Sequence, residues 1–331
     1  MCETLFRFDE EIRKNVKHLI KKLFSKITNS ILNFFNVYVI FRIGHAVGDQ
    51  LCMTSVIRLI NEQHPFKIVV ISSFSELFNN NPRIWKNYEV KVSFIGSFIS
   101  RILRFLSGKC IENFLFTSKK EVYEDYMREN KSLLHLVEVN TLHFKIDLNF
   151  DKISNEIFLS ENEINMFSRK FNLQEPYSVI QPNTKTSYTP NKEWGFEKYQ
   201  KIVNNFKDIN WVQVGLEGDL ILNGVENVTG KTSLRELAFI IKNANFVIAD
   251  EGLLNHMAAS VGSISYVVYS GFHPKEISHY DGTISIVNNP QVKCAPCWIV
   301  EKCPKQKKYC TEEISVNQVI QSIERAGYDE Y

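Results

Sequence analysis

No apolar run in these 331 residues reaches the roughly 18 that a membrane-spanning helix requires, so the sequence offers no candidate span. An excess of charge of either sign is missing too. The 39 basic and 37 acidic residues leave a net charge of +2, which removes any whole-chain electrostatic case for a nucleic-acid partner. Cysteines are not spread evenly: of seven, Cys2, Cys52 and Cys110 are scattered and four crowd toward the end. That distribution argues against a disulfide framework and for reduced thiols. There is no internal repeat at solenoid periods and no low-complexity stretch. The first residues, MCETLFRFDEE, are acidic where a secretory signal would be basic and then apolar, so the expectation is a cytoplasmic protein.

What is present is enough apolar material, 44% of the chain, for sizeable cores. The length suggests two domains of about 150 residues each. Between Ile12 and Ile27, apolar residues recur at helical spacing, and Arg13, Lys14, Lys17, Lys21, Lys22 and Lys26 form a polar face with no acid among them. Such a basic amphipathic helix, within residues 12–35, has three uses: packing on its own domain, lying on an anionic membrane surface, or self-association. Val37–Ile43 reads as a strand leading through GHAVGD into a helix over Gln50–Asn61. Further strands are expected at Lys67–Ser72, Glu89–Ile95 and Ile111–Phe116, with a helix from Phe98 to Leu106. The polar region 149–162 marks a junction, placed near Asp151–Asn172. From Tyr177 the alternation is clean: YSVIQP as strand, Gly195–Phe206 as helix, Trp211–Val214 as strand and Ser233–Asn243 as helix. A parallel sheet covered by helices follows from that order.

The segment NFVIADEGLLNHMAASVGSISYVVYSG, Asn245–Gly271, is the most informative stretch. It reads as a buried strand, an acidic glycine turn at Asp250, Glu251 and Gly252, a small-residue helix and a second buried strand. A helix N-terminus at the carboxyl end of a parallel strand offers N–H groups and a positive dipole end to a phosphate. The plainer alternative makes Asp250 a helix cap and His256 a structural histidine. Elsewhere, Gly44 and Gly48 flank a strand-to-helix turn where the backbone can approach a ligand, and Asp49 by itself reads as a helix cap. Lys192 lies in a loop of hydroxyls and lysines, QPNTKTSYTPNKEW, that includes Thr184, Thr186 and Ser187, and by itself it reads as a solvated surface lysine. Glu217 and Asp219 follow a strand, and either carboxylate can accept from vicinal hydroxyls. Val228–Leu234, VTGKTSL, lacks the first glycine of a phosphate-binding loop and is better read as a turn with Ser233 and Glu236 in capping-box spacing. Finally, Cys294, Cys297, Cys303 and Cys310 are four thiols within one short segment, able to close on zinc or iron or to remain unligated.

Several of these strings together resemble glycosyltransferase family 9, the heptosyltransferase-like enzymes. D-x-G followed by H-M-A-A is similar to the family's nucleotide-sugar site, although Gly252 and His256 stand four positions apart where the family has three, leaving Asn255 and His256 as alternative contacts. RIGHAVGDQLCMT looks like the N-terminal signature R-x-G-x-x-G-D, which makes Asp49 the implied base. Lys192-Glu193-Trp194 is similar to the K-x-W element whose lysine approaches the donor diphosphate, Glu217 takes the place of an acid at the ribose, and the cysteine cluster matches a stretch that holds iron in some members. The resemblance implies a GT-B architecture, an α/β fold of two Rossmann-like domains with parallel sheets facing a cleft. The domains then run from 37 to 160 on the acceptor side and from 173 to 312 on the nucleotide-sugar side, with the cysteine loop at 294–310, the basic helix at 1–36 before them and a C-terminal helix at 313–331. It implies inverting transfer of a sugar, heptose from ADP-heptose, to a hydroxyl of a glycan, lipid-linked or protein acceptor, at the inner face of a membrane or free in the cytoplasm. No cofactor for catalysis is implied; zinc or iron on the four cysteines is the structural option. The rivals are a nucleotide-sugar epimerase of the same architecture and a non-enzymatic cysteine-metal binding module.

Overall fold

The computed structural model describes residues 2–114, 134–184, 188–288 and 292–325, with side chains from residue 17 onward. Thr186 and Ser187, and the last two residues of the strand expected at Ile111–Phe116, lie outside the described residues. The chain divides into two compact units: Met1–Ala46, Val56–Phe116 and Asn140–Asp151 form the first, and Val47–Ser55, Thr117–Val139 and Lys152–Tyr331 the second. It therefore passes between units more than once rather than at one junction.

The first unit holds a helix α1 (Cys2–Phe34), β1 (Val37–Arg42), the second half of α2 (Val47–Gln63), β2 (Lys67–Ser72), β3 (Ile84–Glu89), α3 (Phe94–Leu106) and β4 (Ile111–Asn113). All four strands are parallel, in the order β3-β2-β1-β4, with Val37 opposite Lys67 and Arg42 opposite Ser72. The central strand β1 reads VYVIFR and is buried on both faces, as a covered parallel strand must be. Val37, Val39, Phe41, Val69 and Ile111 make a core onto which Leu32 of α1 and Leu103 and Leu106 of α3 pack. The strand expected over Glu89–Ile95 is not formed. It ends at Glu89, and Ser93, whose hydroxyl accepts from the Gly96 N–H at 3.1 Å, caps α3 instead. A short serine cap satisfies one of the helix's orphan donors, and that local bond outweighs the β-propensity of the segment.

On β4, Glu112 is buried and accepts from the Lys145 N–H at 2.7 Å. Burial, only partly offset by Lys145, pushes its pKa up to about 7 from 4.5. The folded state thus holds this proton more tightly than the unfolded chain, so stability falls as pH rises from about 4.5 to about 7. Glu112→Gln should flatten that decline by up to about 3 kcal/mol. Urea unfolding at both ends of the window measures it, and an unchanged pH slope would assign the decline to other groups.

The second unit begins, after α4 (Leu136–Val139), with α5 (Glu161–Phe171), β5 (Tyr177–Gln181), α6 (Phe196–Asn205), β6 (Asn210–Gln213), β7 (Glu226–Asn227) and α7 (Leu234–Lys242). It continues with β8 (Val247–Asp250), α8 (Leu253–Val261), β9 (Ser265–Val268), β10 (Thr283–Ile286), α9 (Tyr309–Glu312) and α10 (Val316–Arg325). Its six parallel strands run β10-β9-β8-β5-β6-β7. Numbered within the unit this is the doubly wound order 3-2-1-4-5-6, whose topological switch point falls between β5 and β8. The Ser233–Glu236 capping box forms as its spacing predicts, and a second one, Ser160–Glu163, starts α5. Arg235 ties the two helices together by a bidentate pair to Glu163, at 2.5 and 2.8 Å. Val319 and Ile323 of α10 are fully buried in the same core as Ile180, Ile248 and Trp211.

Candidate functional site

Of the elements the sequence marked for nucleotide-sugar binding in the second unit, those carrying Thr184, Lys192, Asp250 and Glu251 follow β5 or end β8, at the carboxyl edge of the sheet on either side of the switch point. After β5, the chain passes Thr184 and reaches a 3₁₀ turn, Pro190–Lys192, capped by Thr189, whose hydroxyl accepts from the Asn191 N–H at 3.1 Å. After β8 come Glu251 and Gly252, the latter the first residue before α8 and without a side chain to cap it. Between these two strand ends, Lys192 Nζ meets Glu251 Oε2 at 2.6 Å, with both side chains largely buried. Burial alone would raise the Glu251 carboxyl. The Lys192 ammonium, helped by His273, overcomes this and holds it well below the usual carboxylate range. The lysine is therefore a buried ion-pair partner and not a solvated side chain.

Asp250 is a hub. Its carboxylate accepts from the Thr184 hydroxyl, from the Trp194 N–H at 3.2 Å and from the Tyr199 hydroxyl at 2.8 Å. Burial pushes its pKa up to about 7, opposed by those same three donors. It thus holds the K-x-W loop and α6 onto the end of β8. The Trp194 indole N–H donates to the Ile314 carbonyl at 2.9 Å, and the ring stands edge-on to Tyr199 at 5.0 Å.

Asn255 and His256, the two alternatives for one contact, face different surroundings. Asn255 uses its amide internally, donating to the Ser278 carbonyl at 2.5 Å and to the Tyr269 hydroxyl at 3.3 Å, and accepting from Ser265 and Thr283 at 3.1 and 2.9 Å. His256 turns toward the start of α2. Its Nδ1 lies 2.7 Å from the Tyr280 hydroxyl and 3.6 Å from Cys52 Sγ, and burial lowers its pKa to about 4, so the ring is neutral at physiological pH. A Cβ placed on Gly48 would sit 2.9 Å from its Cδ2. Neither Gly44 nor Gly48 has a φ in the left-handed region that favours glycine. Gly48 is required because of this close approach and not for a turn, while Gly44 donates its N–H to the Ser73 hydroxyl at 3.1 Å within the first unit. Gly48→Ala should cost about 1–3 kcal/mol and displace His256. A melting temperature and a kcat/KM both equal to wild type would mean that this contact is not maintained in solution.

Asp49 follows directly, buried, in the first turn of α2; the N-cap is Ala46, so Asp49 is not the cap. The first half of α2 is tied to the second unit by Ser55, which donates to Asn155 at 2.7 Å, and by Thr54, which accepts from the Glu156 N–H at 2.9 Å. Glu217 is exposed on the turn after β6, where Asp219 accepts from the Leu216 N–H at 2.8 Å. Gly230, at φ +69°, packs so close to Glu217 that a Cβ would lie 2.9 Å from its Cα. The TGK turn is thereby a support for the Glu217 turn.

The cysteine segment is also part of this edge. Asn191, beside Lys192, donates to the carbonyls of Ile299 and Glu301 at 2.6 and 2.7 Å and accepts from the Cys303 N–H at 3.1 Å. The Cys297 and Trp298 N–H groups donate to the carbonyls of Gly271 and Phe272 at 2.8 and 3.1 Å. Cys294, Cys297, Cys303 and Cys310 all line one cavity of about 50 Å³. As they stand, no three Cys, His, Asp or Glu among the described residues are grouped closely enough to hold a metal ion.

Sequence reading missed Tyr199, Tyr280, Asn191 and His273. His273 follows β9, is buried between Phe272 and Trp298 at ring distances of 4.2 and 4.6 Å, and lies 3.9 Å from Glu251. Neither of its ring nitrogens has a hydrogen-bond partner among the described residues. Its position just beyond a central strand's carboxyl end was the available signal.

Two all-parallel α/β sheets, the second with polar groups gathered at its switch point, define a GT-B-like fold. The chain belongs to glycosyltransferase family 9 (heptosyltransferase), whose family model matches residues 113–309. No curated protein matches the sequence. Among solved structures, the family 9 glycosyl transferase of Veillonella parvula aligns with a TM-score of 0.64 at 16% identity, covering 90% of this chain and 98% of that one. The E. coli ADP-heptose LPS heptosyltransferase II aligns with 0.62 at 14%, covering 89% and 99%. The iron-containing dodecameric glycosyltransferase TibC of enterotoxigenic E. coli aligns with 0.59 at 14%, covering 89% and 77%. At these identities the likeness is one of fold. Family membership makes the chain a glycosyltransferase, which sets aside the non-enzymatic binding module.

Proposed function

We propose that this glycosyltransferase moves a heptosyl group from ADP-heptose to an acceptor hydroxyl with inversion, in the cytoplasm, in lipopolysaccharide or other surface-glycan or glycoprotein synthesis. The observation that carries the reading is the buried Lys192–Glu251 pair at the β5/β8 switch point, next to the Asp250 hub. Similar folds belong to an ADP-heptose LPS heptosyltransferase and to TibC, solved in complex with ADP-D-β-D-heptose. In this reading Lys192 stabilises the diphosphate as it leaves, a task for a point charge that needs no metal. Glu217 accepts from the ribose hydroxyls. Asp49 takes the proton of the acceptor hydroxyl as that oxygen attacks the anomeric carbon, and the C–O bond to the diphosphate breaks on the opposite face, which inverts the centre. His256, uncharged, borders Asp49's turn without competing for the proton. A panel of nucleotide sugars, read by thermal shift and by slow donor hydrolysis, tests the donor. Stabilisation by ADP-heptose alone fits the reading, and a response to uridine or guanosine nucleotides instead would sink it. Product analysis separates transfer from epimerisation.

The four clustered cysteines form, in this reading, a structural site for iron or zinc, in keeping with TibC's description as iron-containing. Burial and then the neighbouring Cys310, Cys303 and Cys294 sulfurs push the Cys297 thiol up, and a bound cation would relieve that mutual repulsion. The segment would have to draw in around its cavity. Protein purified anaerobically without chelators should carry about one equivalent of metal, and Cys297→Ser should lower both metal content and melting temperature. Metal-free protein of unchanged stability would leave the thiols unligated.

A further inference from the structure

In the first unit, α1 and α3 pack together through polar groups. The Ser25 hydroxyl donates to the carbonyls of Leu106 and Ser107 at 3.2 and 3.0 Å. Asn29, buried, donates to the Leu106 carbonyl at 3.0 Å and accepts from the Cys110 N–H at 2.5 Å. These bonds fix which side of α1 faces inward, and they leave its apolar stripe outside. Leu19, Leu23, Phe24 and Ile27 are exposed, as are Phe94 and Phe98 on α3, Phe94 to 90%. Leu19, Leu23 and Ile27 stand one turn apart on α1, as Phe94 and Phe98 do on α3, and exposed apolar stripes of this kind mark an interaction surface.

The charge beside it is of one sign. Lys17, Lys21, Lys22 and Lys26 on α1 and Arg101 and Arg104 on α3 are exposed, and residues 12–35 and 90–109 contain no Asp or Glu. None of the six cations has an ion-pair partner among the described residues. Lys21, Arg101 and Arg104 line a hollow of about 570 Å³ together with Ile43, just past β1, and Phe105. Ser100 accepts from Arg104 Nη2 at 2.7 Å and Nε at 3.2 Å and so orients that guanidinium. The volume suits a small anionic headgroup.

We propose that the α1–α3 face docks on a bilayer surface containing anionic phospholipid, with exposed aromatic and aliphatic side chains entering the interface and a headgroup phosphate held among Lys21, Arg101 and Arg104. Charge complementarity selects this occupant. A second copy docking through the same face would bring six cations against six with no acid between them, whereas an anionic leaflet supplies the missing charge, and phenylalanine and leucine flanked by lysine are what an interfacial helix pair needs. No helix among the described residues is long and apolar enough to span, so the contact is peripheral.

The test is vesicle sedimentation of the full chain with phosphatidylcholine alone and with added phosphatidylglycerol, at low and high salt, with inorganic phosphate as competitor. The expected result is binding to the anionic vesicles only, lost in salt and weakened little by free phosphate. Arg101→Glu with Arg104→Glu should lower the partition coefficient on the order of twentyfold or more, since each cation near such a surface is worth roughly fivefold. Phe94→Ser with Phe98→Ser should lower it roughly tenfold or more at constant charge. All four positions are exposed, so the melting temperature and nucleotide-sugar binding should stay at wild-type values. Equal binding to both vesicle types, or variants that bind like wild type, overturns the proposal. So does gel filtration showing that these substitutions dissociate an oligomer while no vesicle binding is detected.

Discussion

Asp49→Asn should reduce kcat for glycosyl transfer by about 10²–10⁴-fold while the donor dissociation constant stays within about threefold, the loss expected of a general base removed from its transition state. The substitution is nearly isosteric, which matters because Asp49 is buried in the first turn of α2 beside the glycine that touches His256. A carboxylate in a first helical turn interacts favourably with the positive end of the helix dipole. Losing that charge–dipole interaction costs only about 0.3–1 kcal/mol, too little to unfold the chain. The comparison that separates chemistry from structure is therefore kcat against melting temperature. Undiminished kcat in Asp49→Asn would place the base elsewhere, and a collapse of both quantities would make Asp49 a structural residue. Asp49→Glu should recover part of the activity, because the carboxylate is kept and only its reach changes.

The parts of the molecule that were legible in the sequence are those fixed by local chemistry. VYVIFR, YSVIQ and the βαβ unit around Asp250 announce buried parallel strands by unbroken apolar runs, and Ser233 with Glu236 forms its capping box. The strand Ile84–Glu89 escaped notice because it is an edge strand, mostly exposed, and IWKNYE carries the polar residues such an edge tolerates. The period of α1 was legible but not its orientation. Serine and asparagine face inward because their hydrogen bonds to the end of α3 and to Cys110 decide the packing. At the site, Lys192, Asp250 and Glu251 could be read as candidates through resemblance. Their partners could not: Glu251 for Lys192, Tyr199 for Asp250 and Tyr280 for His256 are set by the order of strands in the sheet and not by spacing in the chain.

Removing Lys192 should have the larger structural effect. In Lys192→Ala the Glu251 carboxylate, 7% exposed, would be left buried without its 2.6 Å partner, a loss of about 3–5 kcal/mol when one member of a buried pair is deleted. The pH dependence of that loss has a definite sign. In the wild type Glu251 is held below its ordinary 4.5, so the pair's stabilisation is present above that value and is lost as pH falls through the lowered one. Without the lysine, burial raises the carboxyl instead, so the variant's deficit should be greatest near neutrality and shrink as acid neutralises Glu251. Donor affinity should fall together with kcat, because the same ammonium serves the diphosphate before and during its departure. Combining Lys192→Ala with Glu251→Gln distinguishes the two tasks, since it removes the stranded charge but does not restore a cation. Stability should return to within about 1–2 kcal/mol of wild type while donor binding and transfer stay low. Recovery of transfer in the double variant would show that Lys192 serves only to neutralise Glu251, and a single variant with wild-type stability and donor affinity would show that the pair does not exist in solution.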